Sequence, residues 1–271
     1  MKNIFFAIIA IFVLSSCQKV IELDLNTSNP QYVIEGEMTS ENRPSQVKIT
    51  KTANFSDSNN FPAVTGAVVT ISDDANNSET LTETKSGVYE TKKLIGTPGR
   101  TYTLTVKHDG KIFTSVSKMP TLIPLIDIGN IPDNFGGGGP GGGNTDTAQI
   151  FRAVPLFQDI LNVKNYYRFI QKVNRKVDKS FLVRNDELSD GKISVQPLFT
   201  FGSTIRRGDT LNITLQSIDK PIYDYFFSLV ASSGSGPGGG ATPTNPVNNI
   251  TGGALGYFSA NSVSEKTVII K

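Results

Sequence analysis

Apolar and polar positions alternate in short runs along most of this chain, with Gly, Pro, Asn and Asp between the runs. A period of two sends neighbouring side chains to opposite faces, so each run reads as a half-buried strand. Residues 46–52 show it most cleanly, with Val47 and Ile49 on one side and Lys48 and Thr50 on the other. Residues 101–107 repeat it, setting Tyr102, Leu104 and Val106 against Thr101, Thr103 and Thr105. Further strands are expected at 31–38, 67–72, 79–84 and 111–118. Asp109-Gly110 falls between two runs and is hairpin chemistry, because both residue types tolerate positive φ. Asp73-Asp74-Ala75-Asn76-Asn77 reads as a turn.

The second half continues in the same style. Residues 165–177 read as one long strand, with Tyr167, Phe169 and Val173 facing one way and Arg168, Lys172 and Lys176 the other. Residues 209–217, 257–260 and 266–270 add strands. One segment changes period. Ile222, Tyr225, Phe226 and Leu229 follow i, i+3, i+4, i+7 spacing and predict a helix. Ser217 or Asp219 can cap it, Pro221 falls in its first turn and Gly234 ends it. Glycine tracts near 136–143 and 234–240 cannot pack a core and read as exposed insertions. The first lacks the Lys-Ser/Thr ending of a phosphate-cradling loop. The fold class expected is mainly β. A β-sandwich over 17–120 leads through a Pro120–Pro124 link to a β-rich part over 121–271 with one helix.

Before the first strand lies a different pattern. Lys2 precedes an apolar run from Ile4 to Leu14. It is shorter than the roughly 20 residues a membrane span needs, and it fits a secretory signal over 1–16. Leu14-Ser15-Ser16-Cys17 then resembles the lipobox of bacterial lipoproteins. The resemblance implies that Cys17, the only cysteine, is acylated and begins the mature chain. Gln18 after it, rather than Asp, implies sorting to the outer membrane. Acidic residues follow Lys19 only at Glu22 and Asp24, a partial match to surface-export signals, so the cell surface is favoured over the periplasmic face.

Composition removes several chemistries. The chain has 271 residues, one Cys and one His, with 26 Lys+Arg against 24 Asp+Glu. A lone Cys excludes a disulfide framework and a cysteine-rich zinc site, and a lone His excludes multi-histidine zinc. A formal charge of +2 gives no reason to expect a nucleic-acid partner. A Ser-His-Asp triad would need His108, which sits at a hairpin tip. Asp73/Asp74 or Asp186/Glu187 could suggest a glycosidase pair, but adjacent strand residues face opposite ways. Asp73, Asp74, Asn76 and Glu79 offer oxygen ligands for calcium, yet lack the ordered loop pattern, and turn formation explains them better. The Arg168, Lys172, Lys176 stripe could bind an anion, but the near-neutral total charge favours a solvated strand face. With no Trp, sugar stacking falls to Tyr166, Tyr167, Tyr223 and Tyr257. Asp146-Thr147-Ala148 and Asp209-Thr210-Leu211 match a short O-glycosylation pattern. No catalytic residue, metal ligand or cofactor is assigned.

A set of motifs in order carries a wider resemblance. It comprises Cys17-Gln18-Lys19-Val20-Ile21-Glu22-Leu23-Asp24-Leu25, Tyr32-Val33-Ile34-Glu35-Gly36, Val64-Thr65-Gly66-Ala67-Val68-Val69-Thr70-Ile71, Gly87-Val88-Tyr89 and Pro98-Gly99-Arg100-Thr101-Tyr102. Asn165-Tyr166-Tyr167-Arg168-Phe169, Leu215-Gln216-Ser217-Ile218-Asp219, Tyr223-Asp224-Tyr225-Phe226 and residues 249–260 complete it. Together they resemble Bacteroidetes domain-of-unknown-function family 4249. The resemblance implies an outer-membrane lipoprotein with an immunoglobulin- or transthyretin-like N-terminal sandwich. It further implies a non-enzymatic accessory of a TonB-dependent transporter, with the bilayer and the transporter as partners and the ligand unknown. A surface adhesion or envelope-assembly module without a nutrient ligand is the alternative. Gly252, Gly253 and Gly256 are expected at turns, bulges or close backbone approaches. Replacing Cys17 with Ser is expected to move the protein from the membrane to the soluble fraction; retention in outer membranes would contradict lipidation.

Overall fold

The structure, a computed structural model, describes residues 30–53, 61–133, 149–200, 202–232 and 245–271. Cys17, both glycine tracts and Asp146-Thr147-Ala148 lie outside the described residues. Within them the chain is mainly β, with one helix. The first strands are β1 (Tyr32–Thr39), β2 (Gln46–Lys51), β3 (Val68–Asp73), β4 (Ser78–Thr80), β5 (Thr82–Lys85), β6 (Val88–Glu90), β7 (Thr101–His108) and β8 (Lys111–Lys118). Next come β9 (Leu125–Pro132), β10 (Ile150–Gln158), β11 (Tyr166–Val173), β12 (Lys176–Val177), β13 (Leu182–Asn185), β14 (Ile193–Ser194), β15 (Ile205–Arg206) and β16 (Thr210–Ile218). Helix α1 (Lys220–Ser232), β17 (Ile250–Thr251) and β18 (Leu255–Ile269) close the chain.

The first sandwich packs a β5-β6-β2-β1-β18 layer on a β17-β8-β7-β3-β4 layer. Alternation supplies its core. Ile34, Val47, Ile49 and Tyr89 come from one layer, and Ile71, Leu104 and Phe113 from the other. The β7–β8 hairpin turns at Asp109 and Gly110, both at positive φ, as their sequence predicts. The expected strand at 79–84 is instead two strands in different layers. β4 pairs with β3, β5 pairs with β6, and buried Leu81 marks where the chain changes layer.

A second sandwich sets β11, β12, β13, β16 and the end of β18 against β9, β10, β14 and β15. Phe157, Tyr167, Phe169, Leu211, Ile213 and Leu215 fill it. The expected long strand over 165–177 is a hairpin. Asn174 and Arg175 adopt positive φ, and Lys172–Val173 pair back with Lys176–Val177. β9 and β10 had no clear signature in the pattern. Pro155 lies inside β10, which argues against a strand, and a bulge at Leu156/Phe157 breaks its alternation.

The strands expected at 257–260 and 266–270 are one 15-residue strand. Its first half runs parallel to β1, from Val33↔Leu255 to Thr39↔Asn261. Its second half runs antiparallel to β16, from Ser217↔Ser262 to Thr210↔Ile269. One strand therefore belongs to both sandwiches. Helix α1 lies on the outer face of this shared sheet, burying Ile222 and Phe226 with Tyr225, Leu229 and Tyr257 around them. Its cap is Asp219, whose Oδ1 accepts the Ile222 N–H at 3.3 Å. The other carboxylate oxygen accepts from Ser117 Oγ at 2.8 Å and Lys118 N at 3.0 Å, tying the helix start to β8.

The parallel β1–β18 contact depends on Gly256. It has φ 105°, and a Cβ there would stand 2.0 Å from the Ile34 carbonyl oxygen. Both the conformation and the approach exclude a side chain. Gly256→Ala is expected to destabilise the protein by at least about 2 kcal/mol. A urea denaturation midpoint unchanged from the parent would contradict this.

Candidate functional site

Register places the outward side chains of four strands on one surface. Arg168, Ile170 and Lys172 of β11 stand beside Gln216, Thr214 and Asn212 of β16. Glu265 continues the Thr214 row on β18, while Tyr257 and Ser259 of the same strand face Glu35 and Glu37 of β1. Helix α1 walls one end, with Tyr225 and Phe226 packed on Tyr257 at ring separations of 4.9 Å and 5.0 Å. Glu41 and Arg43, from the turn after β1, form part of the rim. Between them lies a groove of about 510 Å³. Thr214, Gln216 and Ser259 line it although each is nearly inaccessible, so its floor is polar and buried.

The groove's carboxylates are already engaged. Glu37 Oε1 accepts from Gln216 Nε2 at 2.7 Å and Asn261 Nδ2 at 3.1 Å. Its Oε2 meets Arg43 at 3.2 Å, and Arg43 Nε donates to Glu41 at 2.7 Å. Burial alone would lower the Arg43 pKa, but Glu37 and Glu41 together raise it. Glu265 accepts from Asn212 Nδ2 at 2.5 Å. The cations of β11 differ. Arg168 donates to the Gln216 amide oxygen at 3.2 Å and lies 4.2 Å over the Phe226 ring. Neither Arg168 nor Lys172 meets a carboxylate among the described residues. Burial pushes the Tyr257 phenol up, and Glu35 and Glu37 add to this against the opposing pull of Arg168. Burial likewise pushes Tyr225 to about 12. Both phenols are protonated at neutral pH and can donate.

The structure sorts the sequence candidates. Tyr257, Arg168 and Lys172 come together in the groove. Lys176 does not, because it lies past the β11–β12 turn. Tyr166 stacks near Tyr223 at 5.1 Å, and Tyr223 on Phe227 at 5.6 Å, beside a smaller cleft of about 400 Å³. Tyr167 is buried against Phe157 at 4.8 Å and is no platform. Thr210 of the second glycosylation pattern is exposed at the start of β16. Glu37, Glu41, Arg43, Gln216, Ser259 and Glu265 were not singled out by sequence. One signal was present: the outward positions Asn212, Thr214 and Gln216 are uncharged polar residues, where a solvated face ordinarily carries Lys or Glu.

His108 is engaged on both ring nitrogens. Nε2 is 3.1 Å from the Thr65 carbonyl, which only accepts, so Nε2 carries the proton. Nδ1 lies 2.9 Å from Tyr32 Oη and 3.2 Å from Asp109 Oδ2. The ring pins the hairpin to β1. Asp186 and Glu187 lie in a turn, not a strand. Among the described residues, Asp186, Asp159 and Asp190 are gathered closely enough to hold a metal, with ligand oxygens within 4.8 Å. Each also accepts from its surroundings: Asp159 from Tyr167 Oη and Gly191 N, Asp186 from Asn165 N at 2.6 Å, Asp190 from Asn162 N at 2.8 Å. These bonds close the 159–165 and 186–192 loops upon each other.

A family model described as "Domain of unknown function (DUF4249)" matches residues 18–267, nearly the whole chain. No curated protein matches it.

The acidic turn considered for calcium is a set of backbone clamps. Asp73 Oδ1 accepts from Ala75 N and Asn77 N at 3.0 Å and 2.8 Å, and Oδ2 from Arg100 at 2.6 Å. Glu79 accepts the N–H groups of Lys92, Lys93 and Leu94. Asp74 accepts from Thr101 N at 3.0 Å. Burial raises the Asp73 pKa, but Asn77, Arg100 and Ala75 outweigh it and hold the group at about 2, against 3.8 ordinarily. A depressed carboxyl stabilises fully above its unfolded value and loses that contribution as pH falls through its folded one. Asp73→Asn should therefore lower the melting temperature at pH 7, with the gap to the parent closing from about pH 4 towards pH 2. A gap of constant size across that range would contradict the assignment.

Proposed function

We propose that this chain, which belongs to the DUF4249 family of domains of unknown function, is a non-catalytic outer-membrane lipoprotein that binds a ligand as the accessory of a TonB-dependent transporter. The observation that carries the binding role is the groove on the shared sheet. Its volume of about 510 Å³ falls in the range of small-molecule sites. Its walls combine an aromatic ring, two cations without carboxylate partners among the described residues, and a buried hydrogen-bonding floor. Those groups recognise a solute. Its acids are held by amides and Arg43, and its phenols are protonated, so the groove favours binding over proton transfer.

The lipoprotein reading is supported by Leu14-Ser15-Ser16-Cys17, and the outer membrane by Gln18. Acyl chains on Cys17 would hold the protein at the bilayer, since two lipid signals suffice for stable anchoring. The cell-surface face suits a receptor that captures a solute before a transporter engages it. The sharpest test is stable partnership in native membranes. Lys271 is exposed just past β18, so a C-terminal tag leaves the sheet intact. After gentle solubilisation and pull-down, mass spectrometry is expected to find a TonB-dependent barrel in near-equal amount. Recovery of the lipoprotein from outer membranes without a barrel would overturn the accessory role and favour adhesion or envelope assembly.

A further inference from the structure

We infer that the groove takes a carboxylate-bearing polyol, the chemistry of a sugar acid; this rests on reading the groove as the ligand site. Glu37, Glu41 and Glu265 each have a donor in place, and Glu37 has three. Arg168 and Lys172 have none of the carboxylates. Arg168 spends one N–H on a neutral amide oxygen, also meets the neutral Tyr257 phenol, and rests on the Phe226 ring, which orients its plane without neutralising it. A half-buried guanidinium held this way favours a carboxylate over water, because the fork matches two oxygens. Lys172 stands four residues further along the same strand face, roughly 13 Å away between Cα atoms, and lines the same groove.

The floor argues for hydroxyls beside that carboxylate. The Thr214 hydroxyl has no partner among the described residues. The Ser259 hydroxyl accepts from Asn261 Nδ2 at 3.3 Å and keeps its own proton to donate. A protonated Tyr257 phenol completes the set. Thr214 and Ser259 are buried while Arg168 and Lys172 are half-buried, and a bare anion would leave the neutral donors and acceptors unused. A phosphate is also less suited, because it favours clusters of free backbone N–H groups. Here the N–H groups of β11, β16 and β18 are committed to strand ladders. Thus a ligand with a carboxylate at one end and ring hydroxyls along its body satisfies both regions of the groove.

The test is calorimetric titration of the detergent-solubilised full-length lipoprotein with glucuronate, galacturonate, glucose and inorganic phosphate. Saturable binding of at least one uronate, with glucose weaker by about ten- to hundredfold, is expected from loss of a charged hydrogen bond. Arg168→Gln and Lys172→Gln should each weaken uronate binding, Arg168→Gln the more. Lys172 has no side-chain partner to lose among the described residues, so Lys172→Gln remains informative if Arg168→Gln misfolds. Lys164→Gln, in the smaller cleft, should change nothing. Equal affinity for glucose would overturn the carboxylate requirement. Phosphate binding as tight as uronate would reduce the site to a plain anion site and overturn the polyol. No saturable uronate binding would overturn the ligand class while leaving co-purification with a barrel untouched, so the two readings fail separately.

Discussion

The hydrogen bonding of a single strand holds both sandwiches together. β18 pairs with β1 through Asn261 and with β16 from Ser262 onward, so the last strand of the chain joins both sandwiches edge to edge. The handover is a change of partner within a continuous strand. Ser40 secures it from the side, its N–H donating to the Asn261 carbonyl at 3.1 Å while its hydroxyl accepts from Val263 N at 3.0 Å. Side chains reinforce the same place. Glu37 of β1, Gln216 of β16 and Asn261 of β18 are bonded to one another, so three strands from distant parts of the sequence share one buried polar knot.

That knot explains why a groove exists where it does. A sheet that continues from one sandwich into the next has an outer face wider than either sandwich covers. Helix α1 occupies one end of that face, held there by the Asp219 cap and by Phe226 and Ile222. The remainder is walled by long polar side chains and keeps a buried floor. Buried polar groups must be paired to be tolerated. Amides and Arg43 satisfy Glu37, whereas Arg168 and Thr214 keep capacity to spare. The difference between satisfied and unsatisfied groups is what gives the site a direction, with cations along β11 and neutral hydroxyls at its base.

Local structure was legible where one face of a strand is buried and the other wet. The alternation at 46–52 and 101–107, the Asp109-Gly110 turn and the helix from Ile222 to Leu229 all follow from period and turn chemistry. Gly252 and Gly256 also behave as expected. Both sit at positive φ, and each would bring a Cβ within 2.4 Å of a carbonyl oxygen. Period fails where burial is two-sided or irregular. β10 buries three consecutive residues, Ala153 to Pro155, so it shows no alternation. The Asn174-Arg175 turn was hidden because neither residue is glycine. β18 reads as two strands because Asn261 and Ser262 interrupt its apolar pattern, yet they are buried at the handover. The groove was half legible: Arg168, Lys172 and Tyr257 stood out, while Glu37 and Gln216, 179 positions apart, meet only through β18.

One shared strand makes the two sandwiches, and the groove across them, a single cooperative unit. Native-state hydrogen exchange under increasing denaturant tests it most directly. Amides of β1, β16 and both halves of β18 should converge on one opening free energy and lose protection together. Exchange of β11 and β16 through a separate, lower-energy opening, with β1 and the first half of β18 still protected, would contradict it.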